Sequence, residues 1–264
     1  MAKLSWDNVG ERKFEYGIDR GVLYLDTNVG VAWNGLTEVT EKPNVPEITP
    51  LYFDGRKYLD YVGPEETELS IKAYTYPDEF LEYDGVGNDG NKIFFTGQGR
   101  KSFSLSYRSK IGSDTNQDLG YKIHIIYDIT AVPSDTSRET LSDSIDALEF
   151  EWDAKTRPQI VNGHRPTSHV IIDSTKVPSN ILLIVENILY GTDVASPQII
   201  PPDLLSDIIT EGDVSITITL NPDGISWTAT GNSAVLYGIT ADHFTINSDT
   251  VSVSGDYFTV SSSI

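Results

Sequence analysis

The sequence predicts a mainly β protein: a β-sandwich or curled β-sheet with one flanking α-helix, followed by a small all-β domain. Three observations carry that expectation. Apolar and polar residues alternate with a period of two through residues 67–76, 102–109 and 121–131, as side chains leaving opposite faces of a strand require. Turn chemistry sits between such runs, with Asp54 and Gly55 in one place and Asn221, Pro222, Asp223 and Gly224 in another. A broad helical stripe is clear once, at Ile181, Leu182, Val185, Ile188 and Leu189.

Taken in order, residues 1–10 read as an arm with one Trp and little periodicity. Residues 22–25 and 29–39 read as two strands joined by a turn at Asp26, Thr27 and Asn28, which make local hydrogen bonds in tight bends. In the second strand Val31, Trp33, Thr37 and Val39 point one way and Ala32, Asn34, Leu36 and Glu38 the other. Both faces are mixed, which suits a sheet buried on one side and covered on the other by a neighbouring subunit or an enclosed channel. Self-assembly is therefore the first expectation. Residues 41–50 hold three prolines and read as loop. Residues 51–62 read as a hairpin turning at Asp54 and Gly55, residues 67–76 as a half-buried strand with Leu69, Ile71 and Ala73 inward, and Pro77 as the start of a helical turn.

Gly85, Gly87 and Gly90 match GxGxxG, but strand-like sequence follows where a dinucleotide site needs a helix. An EF-hand fails too, with Val86 and Phe95 at ligand positions. Residues 84–92 therefore read as a mobile or interface loop. Strands follow at 102–109 and 121–131, the latter with Tyr121, Ile123, Ile125, Tyr127 and Ile129 on one face, and then at 148–152 and 168–174. Residues 137–148 carry a thin apolar stripe that leaves helix open. The helix ends at Tyr190, with Ser179 or Asn180 as N-cap and Gly191 beyond its C-terminus. Pro202 opens a short second helix, and strict Ser/Thr/Val alternation from Asp213 marks the last unit. The expected domains are residues 1–200, a linker with short helix at 201–212, and a β-sandwich-like domain at 213–264.

Charge and composition exclude several function classes. The 264 residues carry 19 basic and 39 acidic side chains, a net charge of −20. That sign opposes a grip on nucleic-acid phosphates, while a wall of like sign leaves a duplex free to slide. Residues 177–264 contain no Lys or Arg against ten acids. With no Cys there is no disulfide, thiolate metal site or Cys nucleophile. The first ten residues lack the apolar stretch of a signal peptide and no membrane-length apolar run occurs, so the expectation is a chain made without a targeting signal.

The sequence offers no catalytic constellation. His124, His164, His169 and His243 are scattered, without HExxH or another paired metal spacing, and His124 reads as a satisfied structural histidine on its strand. There is no GxSxG elbow and no P-loop. Glu65, Glu66, Asp78 and Glu79 read as solvated carboxylates, so a glycosidase pair has no specific support. No catalytic residue, cofactor or metal is expected.

Six segments, GERKFEYGIDRGVLYL (10–25), GVAWNGLTEVTE (30–41), YFDGRKYLDYV (52–62), IKAYTYPDEF (71–80), RKSFSLSYRSKIG (100–112) and GYKIHIIYDITA (120–131), resemble in order and wording the tail tube (major tail) proteins of long-tailed, non-contractile bacteriophages of actinobacterial hosts. ILYGT at 188–192 fits the same pattern. The resemblance covers residues 6 to about 195 well and the rest, a β-rich C-terminal extension, more loosely. It implies a tail-tube-type β-sandwich whose copies form hexameric rings, stacked into a hollow tube with an acidic lumen that conducts genomic DNA during ejection. It makes residues 213–264 a decoration domain on the outside of that tube. It further implies virion localisation after synthesis in the host cytoplasm. The implied partners are other copies of the chain, the tape measure, tail terminator and distal tail proteins, and DNA in passage, with no membrane. Under it Glu38 and Glu68 become candidate lumen-facing acids, and Glu41, Pro50, Asp84, Gly90 and Gly99 mark candidate inter-subunit loops. The alternative reading is a carbohydrate-binding or adhesin-like β module, for which Tyr237, Phe244, Tyr257 and Phe258 are the surface-capable aromatics.

Overall fold

The computed structural model describes residues 4–44, 49–61, 66–89, 93–132, 138, 140, 147–211, 217–220, 227–230, 244–247 and 250–253. The described strands are β1 (Lys13–Tyr24), β2 (Gly30–Ala32), β3 (Leu36–Asn44), β4 (Thr49–Phe53), β5 (Arg56–Tyr61), β6 (Glu66–Ala73), β7 (Val86–Asp89), β8 (Ile93–Thr96), β9 (Phe103–Ser113), β10 (Gly120–Ala131), β11 (Phe150–Thr156) and β12 (His169–Asp173). Helices α1 (Ser179–Tyr190) and α2 (Pro202–Glu211) follow, and then β13 (Thr217–Leu220), β14 (Trp227–Thr230), β15 (Phe244–Asn247) and β16 (Thr250–Val253). The fold is mainly β, as the alternation predicts. The chain divides into two units, residues 1–175 and 176–264.

In the first unit one antiparallel sheet runs β2-β1-β9-β10-β11-β6-β3, with β12 pairing the first half of β10. The sheet curls so that its two ends approach: Gly21 of β1 comes against Leu36 of β3, and Trp33, just after β2, meets Trp152 of β11 with ring centroids 5.8 Å apart. A Cβ on Gly21 would stand 3.0 Å from the Leu36 side chain and 3.2 Å from the Trp33 carbonyl oxygen, so the close approach favours a glycine there. The interior of the curl is an aromatic core. Trp33, Phe80, Tyr83, Phe103 and Trp152 are buried with Leu23, Leu69, Ile71, Leu105, Ile126 and Ile129. Phe80 meets Trp152 edge-on with ring centroids 5.1 Å apart, a favoured aromatic geometry. The opposite face of β1, β9, β10 and β12 is buried as well, through Val22, Tyr24, Ser106, Ile123, Ile125 and Ile172.

Several expectations are corrected. The turn at residues 26–28 is present, with Asn28 at φ 66°, but the strand after it is broken at Gly35 (φ 76°) into β2 and β3. A register shift between Leu36 and Glu38 then places Leu36 against the core, on the same side as Val39. In β10, a bulge between Ile126 and Ile129, with Asp128 at φ 47°, moves Ile129 to the core face and away from Ile125. Glu41 and Pro50 are strand residues, in β3 and β4. β3 ends the sheet path and pairs only β6 among the described residues, so Pro43 is tolerated at that free edge. Helix α1 is preceded by Pro178, and neither Ser179 nor Asn180 serves as its N-cap.

Other expectations hold. Asp54 and Gly55 both take positive φ, 49° and 70°, in the turn of a β4–β5 hairpin. Pro77 precedes a 3-10 turn at Asp78–Glu82 that buries Phe80. In the second unit α1 buries Ile181, Leu182, Val185, Ile188 and Leu189, and Pro202 opens α2. β13 pairs β14 and β15 pairs β16, while the expected turn at Asn221, Pro222, Asp223 and Gly224 lies outside the described residues. Most of residues 137–148, and Gly90, lie outside the described residues. So do the side chains of Tyr237, Phe244, Tyr257 and Phe258.

Candidate functional site

Two hairpins and two faces of the main sheet hold the features a function could use. Among the described residues the hairpins β4–β5 and β7–β8 are separate two-stranded sheets, with no ladder to the main sheet. Their large side chains are exposed: Tyr52 (67%), Phe53 (68%) and Tyr58 (73%) on the first, and Ile93, Phe94 and Phe95 (each above half) on the second. A two-stranded hairpin is at best marginal in water without a partner for its apolar face, and clustered exposed apolar groups mark association surfaces. Pro50 stands in β4 of the first hairpin. Gly99 lies in the loop leaving β8.

The outward face of β3, β6 and β11 is polar throughout. Register places Glu38, Thr40 and Lys42 beside Glu68, Ser70 and Lys72, and these beside Glu151, Asp153 and Lys155. Glu38 pairs with Lys72 at 3.2 Å and Glu68 with Lys155 at 3.4 Å, while the Ser70 hydroxyl donates to Glu151 at 2.8 Å. Glu38 is held below the ordinary carboxylate range by the Thr40 hydroxyl and the Lys72 ammonium. The face is thus a ladder of alternating charge rather than an uninterrupted acidic wall. Asp84 points elsewhere: half-buried beside Trp152, its carboxyl is pushed up by burial.

The inner face changes character along the strands. Beyond Leu69, Leu105 and Ile126 the same face carries Glu41, Tyr107, His124 and His169, and then Ser109, Glu15 and Lys122, as the antiparallel pairings His124 with Tyr107 and Lys122 with Ser109 require. Tyr107 stacks on His124 with ring centroids 4.7 Å apart. The Tyr107 hydroxyl donates to Glu41 Oε1. Glu41 Oε2 is 3.0 Å from His169 Nδ1, and Glu41 Oε1 is 3.7 Å from His124 Nδ1. His124 Nδ1 and His169 Nε2 are 3.1 Å apart. On its other side His124 Nε2 lies 2.9 Å from Ser109 Oγ, and Ser109 donates to Glu15, which Lys122 also contacts.

The electrostatics follow from this packing. Burial opposes the charge of Glu41, but His169 and Tyr107 more than offset it and hold the carboxyl below its ordinary range. Burial, and then the neighbouring His169, push His124 down. Burial and the bond to Glu41 push the Tyr107 phenol up. Glu15 is held low against burial by Lys122 and Ser109. His124 is, as the strand pattern predicts, a buried and hydrogen-bonded histidine. Sequence reasoning missed its partners. Spacing along the chain shows no metal-like pair, yet Glu41, His124 and His169 have ligand atoms within 4.8 Å of one another. Glu41 is an inward-facing member of this cluster, not a loop residue.

No protein-family model matches the chain, and no curated protein matches it. Among solved structures it is similar to the anti-feeding prophage cap (AFP tube terminating cap), at 7% identity over 66% of this chain and 97% of that one, with a TM-score of 0.34. It is similar also to the anti-feeding prophage baseplate, 6-fold symmetrised, at 7% identity over 64% of this chain and 97% of that one, with a TM-score of 0.31. At these scores the likeness carries no functional weight. Among the described residues no helix is long and apolar enough to cross a membrane.

Proposed function

We propose that this chain is a structural subunit of a phage tail tube, whose copies close into rings, hexameric ones by the sequence resemblance, and stack into a hollow tube that passes genomic DNA. The observation that carries the proposal is the pair of hairpins β4–β5 and β7–β8, which expose aromatic side chains and leave the main sheet unaccompanied. In a tube they reach into the next subunit or ring, where a neighbouring sheet covers them. The free edge of β3 offers a second route, strand addition between subunits, which removes exposed edges by closing them into a barrel.

The polar face of β3, β6 and β11 is the lumen wall in this proposal. Its mixed acids and lysines give DNA neither an apolar surface to stick to nor a continuous cationic track to bind. The role is architectural and requires no catalysis. Its partners are further copies of the chain and the tape measure, terminator and distal tail proteins of the same virion.

Negative-stain electron microscopy of the purified chain across a concentration series, alone and with a preformed initiating ring of tail-tip protein, tests this. Rings or tubes with a central hole are expected in at least one arm. A chain that stays monomeric in both, and binds a glycan instead, overturns the proposal in favour of a binding module.

A further inference from the structure

The polar end of the sheet interior presents a proton-counting problem. Ser109 donates its single hydroxyl proton to Glu15, so its oxygen accepts from His124 Nε2–H. In neutral His124 that leaves a bare lone pair on Nδ1. His169 Nδ1 is 3.0 Å from Glu41 Oε2, and an ionised carboxylate only accepts, so Nδ1 carries the His169 proton. Neutral His169 then has a bare lone pair on Nε2, and the two lone pairs face each other at 3.1 Å. Two acceptors at that distance repel unless a cation lies between or beside them.

We propose that Glu41, His124 and His169 form a binding site for one divalent transition-metal ion, zinc by ligand chemistry. Two imidazoles and one carboxylate are a standard zinc ligand set, with a water at the fourth position. Bond lengths of about 2.0–2.1 Å in a tetrahedral site set ligand–ligand edges of roughly 3.3 Å. Two of the three edges, His124 Nδ1 to His169 Nε2 at 3.1 Å and His124 Nδ1 to Glu41 Oε1 at 3.7 Å, bracket that value, and one ligand atom from each residue lies within 4.8 Å of the others.

The surroundings match what supports a metal-bound histidine. The far nitrogen of His124 is engaged by Ser109 and lies 3.5 Å from Glu15 Oε1, a carboxylate that orients the ring, and Lys122 balances that carboxylate. Tyr107 stacks on the same ring and donates to Glu41, fixing both ligands from one residue. The three ligands come from β3, β10 and β12, so the ion ties the last strand of the sheet path to strands on the opposite wall of the curl. Glu41 is about one-quarter exposed (23%), which leaves the ion a way in from solvent.

The test uses the full, tag-free chain, stripped with a chelator and dialysed against zinc, with metal measured by atomic emission. One zinc per chain is expected, with a rise in Tm that chelator reverses, and the Co2+-loaded protein should show the intense visible bands of a tetrahedral site. His169→Gln and, separately, Glu41→Gln should each weaken binding at least tenfold with the circular dichroism spectrum unchanged. His164→Gln, at an exposed histidine outside the cluster, should bind as the parent does. Absence of stoichiometric zinc in the parent chain overturns the proposal and leaves a shared proton between the two rings. Zinc retained equally by folded His169→Gln and Glu41→Gln also overturns it, because the ion then sits elsewhere. Should one variant fail to fold, the other and the parent decide.

Discussion

The main sheet and the two hairpins β4–β5 and β7–β8 are written in the same alphabet and end in opposite environments. In β9 and β10, Phe103, Leu105, Tyr107, Ile123 and Ile125 are buried to within a few per cent. In the hairpins Tyr52, Phe53, Tyr58, Phe94 and Phe95 are more than half exposed. Burying one aromatic or branched side chain stabilises by roughly 1.5–3 kcal/mol, so the hairpins hold that contribution unused in the single chain. The difference separates the part of the fold that covers its own apolar side chains from the part that, on the proposed assembly, is covered by another molecule. If this is right, substitutions in the two regions must separate stability from assembly.

The largest loss of stability is expected at Trp152, which touches Trp33, Tyr76, Phe80 and Phe150. Trp152→Ala should cost about 3–5 kcal/mol, read as a lower denaturant midpoint. Next comes Gly35→Ala. Gly35 sits at φ 76°, and an added Cβ would stand 2.7 Å from Thr75 Cγ2 and 3.1 Å from the Thr75 amide nitrogen. A loss of about 1–3 kcal/mol is expected, on the same readout.

Asp19 is smaller again. Arg108 donates to it twice, at 2.8 Å and 3.0 Å, and lies over the Tyr121 ring at 4.3 Å. The Arg108 hydrogen bonds hold the Asp19 carboxyl below its ordinary range. Its folded-state value is thus below the unfolded one, of about 3.9. The stabilisation is complete above the unfolded value and disappears as pH falls through the folded one. Asp19→Asn should cost about 1–2 kcal/mol at pH 7, allowing for solvent screening of a partly exposed pair. Below about pH 4 the difference from the parent should shrink, which urea titrations at several pH values would show. The smallest effect on stability is expected from Tyr52→Asp combined with Phe94→Asp. That double variant should melt with the parent and fail to form rings or tubes; a large drop in Tm would mean that the hairpins are part of the folded core.

Much of this fold was legible in the chain. Alternation located β6, β9 and β10, Asp54 and Gly55 fixed the β4–β5 turn, and the apolar stripe located α1. Legibility failed where backbone geometry interrupts periodicity. Nothing in period-two reading announces the bulge at Asp128 that turns Ile129 inward, or the break at Gly35 that redirects Leu36. The Glu41–His124–His169 cluster was invisible for another reason. Its members are brought together by pairing, since β10–β12 register sets His124 opposite Ile171 and His169 opposite Ile126. Only the register puts the two histidines on neighbouring rungs of one face. The exposure of the hairpins was equally hidden, because an aromatic in an alternating strand reads the same whether its cover comes from its own chain or from another.

Hydrogen–deuterium exchange, on dilute chain and on assembled material, tests that central contrast most directly. The account predicts slow exchange of the β9 and β10 amides in both samples. The β4–β5 and β7–β8 amides should exchange fast in the dilute chain and become protected in the assembly. Hairpin amides that are already protected in the dilute monomer, or that stay fast in assembled rings, would contradict it.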